Sequence, residues 1–294
     1  MTMNMNTRKL KLNILAFCTV LIWATAFPVT KMINGEFTAD SLGLIRCVVG
    51  AVTLIILGLV TKIKKPVSGK AVKWLFLSGL LGFALYLIFF TTGISTLTSA
   101  TSSIVIAATP IMTAIGASKI FHDQIRPAGW LCIFVAFAGV VVLLLWDGAL
   151  SINIGVLWTL AAALVFCIYN LMNRYLSGMG HTAIEIVTYS MIFGALVMMI
   201  FLPETIDQLE TASGSAIALA IYLGVAPSAI AYLLWAKASE YAERTSEVTN
   251  YMFVTPLLAT LLGFIMLHEV PSLGTLIGGA IIIGSVILFN RVGK

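Results

Sequence analysis

Arg46 is the residue best placed to do chemistry in this 294-residue chain. It lies six residues after Asp40 inside an apolar run, about 9 Å of helix rise if the run is helical. A charged side chain at such a depth is costly and faces a cavity or a partner. Two readings follow. Arg46 attracts the carboxylate or phosphate of a small molecule, or it snorkels to the outer interface or binds carbonyls to hold its own segment. Glu185 is the other ionisable residue inside an apolar run, read either as the carrier of a coupling proton or as a first-turn acid favoured by the helix macrodipole. Trp23, Tyr86, Thr101, Tyr169, Asn170, Tyr232, Trp235, Asn250 and Tyr251 are the polar and aromatic candidates to line a path. Asn170 and the Asn250-Tyr251 pair stand out, because an amide exposed to lipid has no partner. Hydrogen bonding between helices is the competing reading for all of them. Pro110 and Pro256, each preceded by Thr, lie inside apolar runs and are candidate hinges or static kinks, since proline removes a helix hydrogen bond.

No catalytic, metal or cofactor chemistry is expected. His122 and His268 stand at the edges of apolar runs with no metalloprotease motif, triad or nucleotide loop around them. The Ser- and Thr-rich stretch 95–103 lacks the glycines and lysine of a phosphate loop. Cys18, Cys47, Cys132 and Cys167 all fall in apolar runs, so they form neither a disulfide framework nor a metal-spaced set.

These candidates must be carried by helices in a bilayer. The chain is 60% hydrophobic and 10% charged, with a mean hydropathy of +1.05. A globular domain carries about 25% charge, so this one lacks the polar surface of a soluble body. Apolar runs at 11–33, 41–61, 72–92, 95–118, 128–146, 153–173, 182–202, 214–236, 245–267 and 272–290 approach the roughly 20 residues that cross a membrane, and are read as helices because helices satisfy their own backbone in lipid. The first run is too long for a signal-peptide core and lacks a cleavage site. With a cytoplasmic N-terminus, fifteen of the 17 Lys and Arg collect on the cytoplasmic side, leaving only Lys31 and Arg46. That asymmetry predicts an even number of spans with both termini inside. The net charge of +5 is thereby accounted for by topology, and nucleic acid is not an expected partner.

The two halves repeat. Thr38-Ala39 and Gly50-Ala51 match Thr182-Ala183 and Gly194-Ala195 at one offset, and Lys31 matches Arg174. Tyr86-Leu87, Thr109-Pro110 and His122-Asp123 match Tyr232-Leu233, Thr255-Pro256 and His268-Glu269 at another; after a one-residue gap Gly129 and Gly139 match Gly274 and Gly284. Five spans per half is odd, so the halves are expected to sit inverted, as in secondary transporters with a midplane site. With Trp23-Ala24-Thr25-Ala26-Phe27, Arg46, Gly50-Ala51, Tyr86, the Pro110 and Pro256 segments, and Asp123 and Glu269 with their downstream glycines, the chain resembles the EamA family of the drug/metabolite transporter superfamily over essentially its whole length. The resemblance implies ten helices, with repeats at 11–147 and 152–290, and export of small metabolites, often amino acids. Two departures stand out: Asp123 replaces a more usual Glu, and Phe166-Cys167 stands where the partner of Trp23-Ala24 belongs, moving the expected aromatic role to Trp158 or Tyr169.

The expectation is therefore an all-α, multi-pass secondary transporter of the cytoplasmic membrane. It would export an amino acid or related compound by alternating access, with lipid and a small-molecule substrate as its partners, as monomer or homodimer. Arg46 would attract an anion, Trp23, Tyr86 and Tyr232 would stack, Asn250 and Tyr251 would orient, and Pro110 and Pro256 would gate. A carrier without ion coupling is the nearest alternative; a membrane-embedded sensor or assembly protein is the alternative of another class. Gly274-x-x-x-Gly278 is read as close helix packing or a dimer face.

Overall fold

A computed structural model describes residues 5–61, 69–146, 153–242, 248 and 250–292. Lys62, Lys64, Lys65, Asp147, Arg244 and Lys294 of the charge count lie outside the described residues, as does the side chain of Asn250. The described residues are helical, with no strand among them. Helix α1 is Met5–Met32 and α2 Ala39–Thr61. Helices α3 (Gly69–Ser95), α4 (Ser99–Phe121), α7 (Ala183–Thr211) and α8 (Gly214–Tyr241) each contain an interruption of the α geometry. Helix α5 is Pro127–Leu145, α6 Ile154–Gly178, α9 Val254–Leu267 and α10 Leu273–Val292. Among the described residues seven helices are long and apolar enough to cross a membrane, α1 to α4 and α6 to α8, and three shorter apolar ones lie in α5, α9 and α10. The run expected at 182–202 extends further, through a 3-10 turn at Met199–Phe201 to Thr211.

The interruptions recur at matching places. A π-helical turn occupies Leu80–Leu85 in α3 and another Gly224–Ile230 in α8. Helix α4 breaks at Ala107 and Ala108 and restarts at Thr109, while α9 is preceded by a 3-10 turn, Asn250–Phe253. Helices α4 and α9 both end on a histidine in the left-handed region, His122 with φ 57° and His268 with φ 54°. Left-handed caps satisfy the last carbonyls of a helix and are unusual for residues other than glycine and asparagine. The prolines are therefore placed otherwise than the sequence suggested. Pro110 and Pro256 sit in the first turn of a restarting helix, where the missing N–H is an orphan in any case; neither breaks a continuous helix.

The packing has the same regularity. Helix α1 packs on α8 and α9, and α6 packs on α3 and α4; α2 packs on α8 and α7 on α3; α2 with α7, α4 with α9 and α5 with α10 complete the principal contacts. Exchanging the first five helices for the last five maps this set onto itself. Leu59, Val60, Leu131, Phe134 and Ile200 are among the apolar side chains left exposed on the outside, as a lipid-facing surface requires.

Small residues set the closest crossings. A Cβ on Gly79 would fall on the backbone of Ser190 and Gly194, and Gly155 and Gly93 bring α6 and α3 backbones together in the same way. The small face of α10 is used internally, Gly274 against Trp146, Gly278 against Gly139 and Gly279 against Ile104. Replacing Gly79 by Val should force α3 away from α7 and lower stability by about 1–3 kcal/mol, the range for overpacking. A thermal melt of the purified protein in detergent checks it, with an unchanged midpoint counting against this packing.

Candidate functional site

The residues of the centre are delivered by both halves. Trp23 and Phe27 come from α1, Arg46 from α2, Tyr86 and Phe90 from α3, Ser103 from α4, Phe166 from α6, Tyr232 from α8, and Met252 and Thr255 from the α9 region; together they line one box. The rings hold each other in edge and tilted contacts: Trp23 with Phe166 at 5.5 Å and Tyr232 at 5.4 Å between centroids, and Tyr86 with Phe166 at 5.2 Å. Such geometries suit the aromatic quadrupoles.

The two π turns do specific work here. A π turn leaves a carbonyl outside the regular ladder and is frequent at functional sites. Trp23 Nε1 donates to the carbonyl of Pro227 at 3.1 Å, and Tyr232 Oη donates to the carbonyl of Gly82 at 3.2 Å. Each ring is thus oriented by the interrupted helix of the opposite half.

Arg46 is 2% exposed. Its Nε donates to Ser228 Oγ at 3.1 Å and its guanidinium lies 5.9 Å from the Phe90 ring centroid, while Nη1 is buried without a hydrogen-bond partner. No Asp or Glu is among the described lining residues. A buried cation with an unmet donor and no described carboxylate beside it is able to take an anion. The side chain turns inward to the box and does not snorkel to a surface.

The free space in the box is about 20 Å³, room for roughly one water molecule. A second cavity of about 250 Å³ lies toward the face that carries the N-terminus, between α6, α7 and α8. Exposed Arg174, Ser177, Ser239 and Glu240 form its mouth, and buried Asn170 and Trp235 its floor. Trp235 Nε1 donates to Asn170 Oδ1 at 3.0 Å, Asn170 Nδ2 donates to the carbonyl of Phe166 at 3.0 Å, and the Trp235 ring sits 5.0 Å from that of Trp23. These two residues separate the cavity from the box.

Of the residues picked out in the sequence, Trp23, Arg46, Tyr86 and Tyr232 line the box, while Asn170 and Trp235 form the partition beneath it. Tyr169 is buried with its ring against Gly82 and Tyr232. Tyr251 is half-buried beside the core. Thr101 lies elsewhere, in a hydroxyl chain with Thr98 and Thr275 at the start of α4. Phe166 itself fills the place that had been expected to pass to another residue, whereas Trp158 is 38% exposed and stacks on Phe89. Glu185 belongs to a capping box with Thr182 at the start of α7, its Oε2 accepting from Thr182 N at 2.9 Å. Ser228, Phe27, Phe90, Ser103, Met252 and Thr255 were not marked as site residues, although Phe27 and Thr255 stand in motifs quoted from the sequence. A signal existed for two of them, since Phe90 follows Tyr86 by one helical turn and Ser228 follows Pro227.

Comparison with known proteins follows from this geometry. The model of the EamA-like transporter family matches residues 10–145 and 153–291. An uncharacterized transporter, YdfC, of Bacillus subtilis is 30% identical over 267 residues, 90% of this chain and 86% of its own length. A probable terminal-alkyne amino-acid exporter of Streptantibioticus cattleyicolor is 28% identical over 273 residues, 93% and 91% of the two chains. A crystal structure 19% identical in sequence shares the fold with a TM-score of 0.68, covering 96% of this chain and 98% of that one.

The partition makes its own prediction. Asn170→Leu keeps the volume but leaves the Trp235 indole N–H unmet in an apolar interior, which should cost about 1–3 kcal/mol. In a double-mutant cycle with Trp235→Phe, thermal melts should show the combined loss well below the sum of the two. Strict additivity would mean that the bond contributes nothing.

Proposed function

The chain belongs to the EamA-like transporter family, and we propose that it exports a small organic metabolite bearing a carboxylate and an apolar body, of the amino-acid class, across the cytoplasmic membrane. The observation that carries this reading is Arg46, buried, with Nη1 free of a hydrogen-bond partner, in the wall of an aromatic box that has no acid among its described lining residues. The guanidinium takes the carboxylate, and Trp23, Tyr86, Phe166 and Tyr232 take the apolar part. A relative described as a probable terminal-alkyne amino-acid exporter supports the amino-acid class.

The proposed machinery is ten membrane-crossing helices in two inverted repeats, residues 11–147 and 152–290, with both termini cytoplasmic. The recurring π turns, restarting helices and left-handed histidine caps support the repeat, and so does a helix-packing pattern that survives exchange of the two halves. Inversion follows from five helices per half, and the charge asymmetry supports the orientation. Alternating access then consists of the halves rocking about the box. The box has room for roughly one water as it stands, so loading requires its walls to part. Pro110 and Pro256, at the restarts of α4 and α9, and the π turns of α3 and α8 are the proposed points of bending. Tyr251 and Asn250, on the turn before α9, are proposed to orient the substrate.

Absence of a carboxylate from the lining favours one second reading, transport without proton coupling. Flux in proteoliposomes that ignores an imposed pH gradient would support it. The principal test is counterflow with a panel of amino acids, carboxylates and amines. Arg46→Gln should weaken binding of carboxylate substrates by roughly 10- to 100-fold, the scale of a lost charged hydrogen bond, with partial recovery in Arg46→Lys. Unchanged affinity and rate in Arg46→Gln would remove the anion role.

A further inference from the structure

Among the described residues two ion pairs join the halves, and they occupy corresponding positions. Lys31 at the end of α1 pairs with Glu269, just past the left-handed cap of α9. Arg174 near the end of α6 pairs with Asp123, just past the left-handed cap of α4. Lys31 and Arg174 are repeat partners in the sequence, and so are Glu269 and Asp123. One pair lies at the far face, the other at the N-terminal face beside the larger cavity.

Their surroundings differ. Lys31 Nζ lies 2.5 Å from Glu269 Oε1 and donates to the carbonyl of Leu97 at 2.8 Å. The other oxygen, Glu269 Oε2, accepts from the backbone N–H of Ser99 at 2.7 Å, at the start of α4. These side chains are 29% and 11% exposed. The same face carries further ties between halves: Glu36 accepts from Ser213 N and Oγ at 2.6 and 2.8 Å, and Thr38 bonds Glu204 and Gln208. Bonding to Ser213 holds the Glu36 carboxyl below the usual glutamate range, so this tie persists into mild acid. Arg174, by contrast, meets Asp123 through two bonds at 2.7 and 3.3 Å and rests on the Phe121 ring, with the pair 38% and 48% exposed. Exposed pairs are screened and weak; partly buried ones are screened much less.

We propose that these pairs are the two latches of the transport cycle, tightened alternately, and that this structure rests with the outer latch, Lys31–Glu269–Ser99, partly buried and fully made, and the inner one, Arg174–Asp123, exposed. The proposal rests on the two-repeat reading above and goes beyond it in naming the residues that decide which face is shut. When the halves rock, the outer set parts, and Arg174–Asp123 becomes the buried set as the cavity between α6, α7 and α8 closes. A latch of this kind supplies the differential contact energy that separates two conformers.

The test measures conformation directly, by spin-label distances in the full chain in liposomes without substrate. Cys18 is replaced by Ser, the other three cysteines being buried. One label pair, Gly35→Cys with Ser272→Cys, reports the outer face; another, Gln124→Cys with Ser177→Cys, reports the inner face. Glu269→Gln keeps an acceptor for Ser99 N–H and so preserves the start of α4, while removing the charge. It and Lys31→Met should raise the population with a long outer and a short inner distance severalfold. Arg174→Gln and Asp123→Asn should lengthen the inner distance and leave the outer one short. Distances that stay fixed in Glu269→Gln and Arg174→Gln, with only a lower melting point, would reduce the pairs to structural ties and overturn the proposal, as would both faces loosening together in either variant. Opposed shifts without carboxylate counterflow would leave the latches standing and remove the substrate assignment.

Discussion

Holding a guanidinium at 2% exposure between apolar helices is the constraint around which the centre of this protein is arranged. An unpaired cation at that depth is expensive in any hydrocarbon setting, and no carboxylate is among the described residues that line the box. What surrounds Arg46 is a hydroxyl from Ser228, the face of Phe90 and electron-rich rings from four helices. These soften the cost without cancelling the charge, and the free Nη1 keeps part of it uncompensated. On the proposed reading that residue of cost becomes specificity, because a carboxylate arriving in the box relieves it and an amine does not.

The same constraint explains why both π turns sit where they do. Indole N–H and phenol O–H groups brought in to build the box need acceptors, and a regular helix has none to spare. Gly82 and Pro227, each inside a π turn, present their carbonyls to the ring delivered by the other half. The interrupted helices are thus part of the ring scaffold, and each half completes the other. Close approach at Gly79, Gly93 and Gly155 serves the same end by bringing α3 within reach of α6 and α7.

Much of this was legible in the sequence, and the misses have physical reasons. Apolar runs and lysine asymmetry report lipid and water directly, so the helical class and the positions of the helices could be read from composition along the chain. Identities at constant offset, Lys31 with Arg174 and Asp123 with Glu269 among them, fall where the structure has recurring features, the left-handed histidine caps and the two ion pairs beside them. Placement within the bundle was not. Phe166 occupies the Trp23 position as a ring, although matching on the Trp-Ala pair had sent its role to Trp158 or Tyr169. Thr101 reads as a polar residue in a span, yet it belongs to the hydroxyl chain with Thr98 and Thr275 that caps the start of α4. Pro110 and Pro256 read as mid-helix breaks until the preceding turn is known to have left the α form. Ser228, Met252 and Thr255 are brought to Arg46 only by packing between halves, which no local pattern encodes.

If the halves are related by a repeat, the fold alone cannot decide which face rests closed, since exchanging the halves exchanges the faces. The bias must come from where the repeats have diverged, and the two ion pairs are one place where they have. Glu269 is one methylene longer than Asp123. With that reach it holds Lys31 and the start of α4 together, one oxygen for each. Lys31 is a compact ammonium that also takes the Leu97 carbonyl, while Arg174 is a planar fork committed to one carboxylate and one ring, a difference in kind between the two cations. On the proposed reading, a shorter acid and a fork that stays in water make a weaker closure at the face of Arg174. The resting preference would then lie in a Glu-for-Asp and a Lys-for-Arg difference between two copies of one motif.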